Sequence, residues 1–190
     1  MASAVHVVLA PHPANPPRFR QRIEVALKRT DAGGVAIGYA IHGFTLDLRV
    51  PTPRAPAPAD ALWRTTCCEL FVGAPDHPRY REFNFSPSGQ WAAYDFVDTR
   101  VPAPQAPACP APSVHTRREE NLLQLDVVLP SAALPEPVGQ GARFCLALAT
   151  ILQADDGSLG YWALVHPPGA PDFHHPAGFA LKLDARGLHP

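Results

Sequence analysis

The chain has 190 residues, with 16 Lys and Arg against 17 Asp and Glu, so its formal net charge is −1. A chain this close to neutral lacks the strong positive field that draws in nucleic acid or an anionic membrane, which argues against a nonspecific polyanion binder. Apolar residues make up 46% of the chain, as in globular proteins, and we expect a single domain over residues 1–190. The 24 prolines exclude long helices, because proline breaks a helix interior.

The sequence carries no sign of a membrane span or a disulfide framework. No run of about 20 apolar residues is present, and the short N-terminal apolar run has no basic residue before it and meets Pro11 early. Two of the four cysteines, Cys67 and Cys68, are adjacent, and Cys109 and Cys145 stand alone, which fits neither a CxxC pair nor paired disulfides. We therefore expect a soluble cytoplasmic protein with reduced thiols and with neither a membrane nor a nucleic acid as partner.

The first elements alternate apolar and polar residues with a period of two. Residues 22–28 and 35–41 show this alternation on both sides of an Asp-Ala-Gly-Gly turn, and residues 44–50 continue it. A strand with one apolar face lies half-buried on a core. The pattern predicts three consecutive strands joined by short turns.

Two proline-rich segments, at 51–60 and 101–112, are predicted to be stiff loops, because proline cannot sit in a central strand. Further alternating runs lie between them and after them, and only Ser131–Leu134 resembles a helical turn. Many short strands with Pro/Gly turns and little or no helix predict an all-β antiparallel β-sandwich, a jelly-roll or immunoglobulin-like architecture of two sheets.

The common catalytic motifs are absent. The sequence has no GxxxxGK[ST], GxGxxG, GxSxG or HExxH pattern, so nucleotide and zinc-protease chemistry are not indicated. The histidines near the C-terminus suit a metal chemically but read equally well as a polar loop, and we expect no metal. Cys67 and Cys68 would point to opposite faces of a strand, which argues against a redox pair.

Aromatic and polar side chains concentrate in one segment between the two proline-rich loops. This mixture suits a saccharide, because flat aromatic faces pack on the C–H faces of a sugar ring while planar polar groups bind its hydroxyls. Polar residues inside predicted strands either face solvent or gather in a site. The segment contains Trp63, Glu69, Glu82, Asn84, Trp91, Tyr94, Asp95 and Arg100.

Two runs in this segment, Leu62–Val72 and Tyr80–Phe96, resemble the DOMON-like family, which is related to family 9 carbohydrate-binding modules. The shared pattern is a tryptophan, a Cys-Glu-Leu-Phe strand, and a Tyr-x-x-Phe hairpin closed by Ser-Pro-Ser-Gly. The resemblance implies a two-sheet sandwich that binds a small saccharide-like ligand without transforming it. It also implies roles for Trp63, which would stack on the ligand, and for Glu69, six residues later.

The sequence departs from the family where a second tryptophan is expected near the last strand, since Asp172-Phe173-His174-His175 stands there instead. Phe173, a histidine or Trp162 would have to supply the opposing face of the site. Asn84 and Arg100 would bind ligand hydroxyls, and Trp91 would belong to the core. The expected ligand-binding residues are Trp63, Glu69, Asn84, Arg100, Trp162, Asp172, His174 and His175.

Three alternatives stay open at this stage. A haem-binding DOMON-type domain could use two of His166, His174 and His175 as axial ligands, whereas Met1, the only methionine, argues against Met/His ligation; no cofactor is expected. The proline-rich loops could instead present a surface to a protein partner. Glu69 and Glu82 could form the carboxylate pair of a glycosidase, although the resemblance favours a protein that is not an enzyme.

Overall fold

The computed structural model describes residues 4–15, 20–105, 109–136, 143–184 and 187–189. Within these residues the chain is almost entirely antiparallel β-structure, with no helix of seven or more residues. The all-β sandwich predicted from the alternation is therefore confirmed. The strands are β1 (Val5–Pro11), β2 (Arg22–Arg29), β3 (Val35–His42), β4 (Cys67–Gly73), β5 (Tyr80–Phe85), β6 (Trp91–Asp98), β7 (Val101–Pro102), β8 (Ser113–Glu119), β9 (Leu122–Leu129), β10 (Phe144–Gln153), β11 (Leu159–Ala163), β12 (Leu181–Asp184) and β13 (Gly187–His189).

These strands form two antiparallel sheets. The first sheet has the order β1-β2-β3-β9-β8, and the second has the order β7-β6-β5-β4-β10-β11, with β12 also on β10 and β13 on β12. Strand β1 joins the two sheets, since Val5–Leu9 pairs with β2 while Ala10 and Pro11 pair with β11. The polypeptide thus passes from one sheet into the other within a single strand.

The core lies between the sheets and is built by every second residue of the long strands. On β2, Ile23, Val25 and Leu27 are fully buried while the residues between them are more exposed, as the alternation predicts. The second sheet contributes Leu70 and Phe83 from its centre. Trp91 also lies in this core, as the sequence predicts.

Strands β4 and β5 are buried along their whole length, on both faces. On β4, Cys68, Leu70 and Val72 face the core, so Glu69 and Phe71 face the opposite side of the sheet. A second, smaller apolar cluster covers that outer face around Phe71. The polar residues of these strands are therefore enclosed rather than solvent-facing.

Some predicted elements differ in the structure. The strand predicted at 44–50 is absent: the segment is a turn that contributes only an isolated bridge from Leu48 to Ala154. Its exposed Phe44 and Leu46 mimic the alternation of a strand. The 3₁₀ turn Ser131–Ala133 matches the predicted helical turn, and two further turns occur at Leu62–Arg64 and Pro176–Gly178.

The proline-rich segments form loops where the structure describes them. Within 51–60 the only pairing of described residues is the bridge from Pro58 to Trp91. In 101–112, Val101 and Pro102 form the short outermost strand β7, and residues 106–108 lie outside the described residues. Among the described residues, no helix combines the length and apolar character needed to cross a membrane.

Candidate functional site

A cavity of about 580 Å³ lies on the outer face of the second sheet. Strands β4, β5 and β6 provide its floor, and the segment around Phe173 and the 3₁₀ turn at Trp63 provide walls. It is lined by Trp63, Glu69, Glu82, Ala93, Tyr94, Asp95, Phe96, Arg100, Pro102, Ala103, Gln105, Ile151, Tyr161, Pro171, Phe173 and His174.

Two buried glutamates form the floor of the cavity. Glu69 on β4 is 2% exposed and Glu82 on β5 is 5% exposed. In the pairing of these strands Glu69 lies opposite Asn84 and Glu82 lies opposite Phe71, so the glutamates occupy diagonal positions on one face. Diagonal neighbours in a sheet are about 7–8 Å apart, within reach of long side chains. Strand register thus brings two acidic groups together in a dry environment.

Asn84 positions the Glu82 carboxylate from beneath the cavity. Its Nδ2 donates to Oε1 of Glu82 at 2.6 Å, and its Oδ1 accepts from Sγ of Cys67 at 3.4 Å. Both contacts fit one orientation of the Asn84 amide, in which the NH₂ group donates to Glu82 and the oxygen accepts from the Cys67 thiol. Burial raises the pKa of the Cys67 thiol, which keeps it protonated as that donor.

The Glu69 carboxylate faces the cavity and accepts no hydrogen bond from any residue that the structure describes. Burial, followed by the charge of Glu82, raises the pKa of Glu69 well above its ordinary range, and Arg100 acts in the opposite direction. Burial also raises the pKa of Glu82, against the hydrogen bond from Asn84 and the charge of Arg100. Burial thus outweighs the charge of Arg100 at both carboxyl groups, and of the two only Glu82 accepts a side-chain hydrogen bond from the described residues.

His174 is held beside Glu82 as a neutral imidazole. Its Nδ1 lies 2.7 Å from the Tyr80 hydroxyl, which in turn accepts the backbone N–H of Arg100 at 3.1 Å. Burial, followed by the charge of Arg100, lowers the pKa of His174 to about 4. With Tyr80 donating to Nδ1, the ring proton resides on Nε2, which lies 3.6 Å from Oε2 of Glu82. The contact is too long for a direct hydrogen bond, so Nε2–H is an available donor.

Arg100 joins the turn after β6 to the segment that covers the cavity. Its backbone is left-handed, with φ 57°, and its guanidinium donates to Oδ1 of Asp172 at 2.8 Å. The same oxygen accepts the backbone N–H of His174 at 3.1 Å. Partial burial works against ionisation, but the hydrogen bond and charge of Arg100 hold the pKa of Asp172 below its ordinary value.

Two aromatic pairs stand on opposite sides of the floor. Trp63 meets Tyr94 of β6 edge to face at 5.5 Å, and Tyr161 of β11 meets Phe173 at 6.0 Å. Since β6 and β11 are four strand spacings apart, their backbones are separated by about 19 Å. Trp63 is 38% exposed and stands at the mouth of the cavity.

Four of the residues predicted from the sequence line this cavity: Trp63, Glu69, Arg100 and His174. Two others hold lining residues in place, since Asp172 binds Arg100 and Asn84 binds Glu82. Strand pairing and the covering segment therefore bring six of the predicted positions to one place.

The remaining two predicted positions lie elsewhere. Trp162 is 1% exposed and belongs to the core between the sheets, while its neighbour Tyr161 faces the cavity. His175 is exposed, and its Nδ1 accepts the backbone N–H of Ala177 at 3.1 Å, which caps the 3₁₀ turn Pro176–Gly178. Of the residues proposed to oppose Trp63, Phe173 and His174 line the cavity, as does Tyr161, whereas Trp162 does not.

The sequence reasoning gave no ligand-binding role to Glu82 or to Tyr161. Glu82 was named within the polar and aromatic segment and as one half of a glycosidase pair, but not among the expected ligand-binding residues, although its alternation with Phe83 places it on the face of Asn84. Tyr161 belongs to a strand whose register against β10 is not evident from the sequence. Nothing short of the strand pairing identifies it.

The three histidines considered for haem are held in different ways. His166 Nε2 lies 2.8 Å from the carbonyl of Ala10, His174 contacts Tyr80, and His175 caps a turn. In the described ranges of the chain, no group of three or more His, Cys, Asp or Glu side chains is placed to hold a metal ion.

Comparison with known proteins finds relatives by structure alone. No protein-family model and no curated protein sequence matches the chain. A candidate carbohydrate-binding protein from Bacteroides uniformis ATCC 8492 is similar in structure with a TM-score of 0.57 and 16% identity, over 96% of this chain and 86% of that one.

Two structures of a family 9 carbohydrate-binding module from Caldicellulosiruptor kristjanssonii are also similar, each with 7% identity. The complex with cellotriose has a TM-score of 0.57 over 85% of this chain and 74% of the module, and the complex with glucose has 0.53 over 80% and 71%. At these identities the likeness establishes a common fold.

Proposed function

We propose that the protein binds a small saccharide in this cavity and releases it chemically unchanged. The observation that carries the proposal is the Glu69 carboxylate, which is buried, faces the cavity and has no donor among the described residues. Sugar hydroxyls supply such donors, and a carboxylate can accept two of them. The fold shared with module structures in complex with cellotriose and with glucose supports the same ligand class.

The walls suit the apolar part of a sugar. Aromatic faces pack against ring C–H groups, and Trp63 at the mouth offers the largest such face. A volume of about 580 Å³ falls within the usual range of small-molecule sites and accepts a ring or a short chain of rings. Trp63 would stack on the ring that lies nearest to solvent.

The polar groups divide into acceptors and donors. Glu69 and Glu82, which lie on the floor, accept hydrogen bonds from ligand hydroxyls. Nε2–H of His174 and the guanidinium of Arg100 donate hydrogen bonds to ligand oxygens. Asn84 does not touch the ligand in this arrangement, and it acts by fixing Glu82. The site therefore orients the ligand through groups that are already held by the fold.

Titration calorimetry with a panel of mono- and disaccharides tests the proposal, on the wild type and on two variants. We expect at least one sugar to bind, and Trp63→Ala to weaken it by about tenfold or more through lost stacking. Phe44→Ala, which removes an exposed ring outside the cavity, is the matched control and should leave affinity unchanged.

An NMR spectrum of the sugar after prolonged incubation should be unaltered. Hydrolysis or isomerisation of the sugar would replace a binding role with a catalytic one for Glu69 and Glu82. Absence of binding across the panel would overturn the proposal and favour a protein partner.

A further inference from the structure

The cavity is lined by more acidic side chains than basic ones. Among the described residues that line it, Arg100 is paired with Asp172, and Asp95 is held by the guanidinium of Arg81 through two hydrogen bonds of 2.6 and 2.8 Å. These two ion pairs are each neutral as a unit. His174 adds no charge near neutral pH, because its pKa is about 4. Two carboxylates, Glu69 and Glu82, are left without a cationic partner of their own.

A neutral ligand would not relieve this imbalance. Hydroxyl groups donate hydrogen bonds, but they leave two like charges buried on neighbouring strands, which costs free energy unless one carboxylate takes up a proton. An ammonium group supplies three N–H donors and a positive charge at the same place. It would satisfy Glu69 and Glu82 together.

The aromatic walls favour a cation as well. Trp63 and Tyr94 stand on one side of the floor and Tyr161 with Phe173 on the other, and aromatic faces attract ammonium groups through their quadrupoles. An anionic sugar has the opposite fit, since the one lining guanidinium among the described residues, that of Arg100, is occupied by Asp172. The charges thus discriminate between classes of saccharide.

We infer that the ligand is an amino sugar in its ammonium form, with the nitrogen between Glu69 and Glu82 and the ring against Trp63. This inference rests on the proposed saccharide-binding function and narrows it to one chemical class. Among other saccharides, an N-acetylated sugar lacks the positive charge, and a uronic acid carries a negative charge instead.

Calorimetry at about pH 6.5, where amines of ordinary pKa are protonated, compares glucosamine, N-acetylglucosamine, glucose and glucuronate. We expect glucosamine to bind at least about tenfold more tightly than glucose or N-acetylglucosamine, because hydrogen bonds to charged groups are stronger than neutral ones. Glucuronate should bind most weakly. In Glu69→Gln and in Glu82→Gln the preference for glucosamine should fall severalfold, and a melting curve verifies that each variant is folded.

The outcomes separate the two claims. Equal affinity for glucosamine and glucose overturns the amino-sugar inference and leaves the saccharide function standing. Cyclohexylamine, a ring with an ammonium but no hydroxyls, is the control for the function, and binding as tight as that of glucosamine overturns the sugar assignment. Failure of all four sugars to bind overturns both. The comparison of ligands on the wild-type protein decides these cases even if a variant fails to fold.

Discussion

At the scale of single residues, two tryptophans in the same molecule have opposite surroundings. Trp63 is 38% exposed and packs its ring edge to face with Tyr94, whereas Trp162 is 1% exposed within the core. Trp63→Ala should therefore cost only about 1 kcal/mol of unfolding free energy, against about 3–5 kcal/mol for Trp162→Ala. Denaturant unfolding of both variants measures this difference. Equal losses would mean that Trp63 is a packing residue rather than a binding surface.

Glu69 is expected to lower the stability of the ligand-free protein. Because its pKa is raised on folding, its contribution is fully present below the pKa of the unfolded carboxyl and is lost as the pH rises through the folded value. Glu69→Gln should raise the melting temperature at neutral pH, and the gain should shrink toward about pH 3, where the Glu69 carboxyl is protonated in both the folded and the unfolded wild type. Each kcal/mol gained corresponds to about 2–4 °C.

Other charged and titratable groups near Glu69 also affect how the melting temperature depends on pH, so the experiment needs a control variant. Glu82 and Arg100 act on it directly, and Cys67, Tyr39 and His174 lie close by. Glu120→Gln, at an exposed glutamate, should leave the melting temperature unchanged across the range. A lower melting temperature in Glu69→Gln at neutral pH, with the difference lost toward about pH 3, would instead show that the ionised carboxylate stabilises the fold.

At the scale of elements, the hairpin between β2 and β3 needs a glycine at position 34, because there is no room for a side chain there. A Cβ at Gly34 would clash with the carbonyl oxygen of Leu129, a backbone atom that cannot rotate away. The turn is also fixed by two bonds between Thr30 and Gly34, each 2.9 Å long. Gly34→Ala should shift the hairpin and cost more than about 2 kcal/mol.

Thermal unfolding measures that cost, with Gly157→Ala as the comparison. Gly157 has φ +89° and no neighbouring atom within 4 Å of an added Cβ, so its substitution introduces backbone strain alone. That strain costs about 1–2 kcal/mol. A smaller loss of unfolding free energy for Gly34→Ala than for Gly157→Ala would show that the turn rearranges to accept the methyl group at little cost.

Alternation predicted β2, β3 and β9 but not the seven-residue strands β1 and β8 or the shortest elements. A repeat of two needs several residues to be visible, so β2, β3 and β9 were evident, whereas the two-residue β7 and the three-residue 3₁₀ turns at Trp63 and Pro176 were not. The segment 44–50 alternates without forming a strand, because a pattern records residue types and not pairing. Burial of both faces of β4 and β5 likewise depends on the covering segment.

The candidate site was predicted in part for a related reason. Trp63, Glu69 and Arg100 lie within one stretch of sequence rich in aromatic and polar residues, and the family resemblance added roles for Trp63 and Glu69. Tyr161 and Trp162 are adjacent and on opposite faces of β11, and a shift of one residue in register exchanges them. The sequence could not decide which aromatic ring faces the ligand, because the pairing of β11 with β10 decides it.

At the scale of the whole molecule, the two sheets differ in what their faces contact. The first sheet has one face on the core, while the second has the core on one side and the cavity on the other. Ligand binding should therefore stabilise the whole fold, since a ligand that binds only the native state raises the melting temperature. At a hundredfold excess over its Kd the gain is about 2.7 kcal/mol. Thermal scans with increasing sugar concentration should follow this relation, and a melting temperature independent of a ligand that calorimetry shows to bind would contradict it.

Strand β1, which passes from the first sheet into the second, also protects the molecule from self-association. It covers the open side of β2 with Val5–Leu9 and that of β11 with Ala10 and Pro11. A chain that lacks residues 4–11 would bare unpaired N–H and C=O groups on two sheet edges at once, and such edges pair readily with other chains. Sedimentation should then reveal concentration-dependent oligomers, whereas the intact chain should not form them by this route. A single short strand thus covers one edge of each sheet, at β2 and at β11, and so prevents edge-to-edge pairing there.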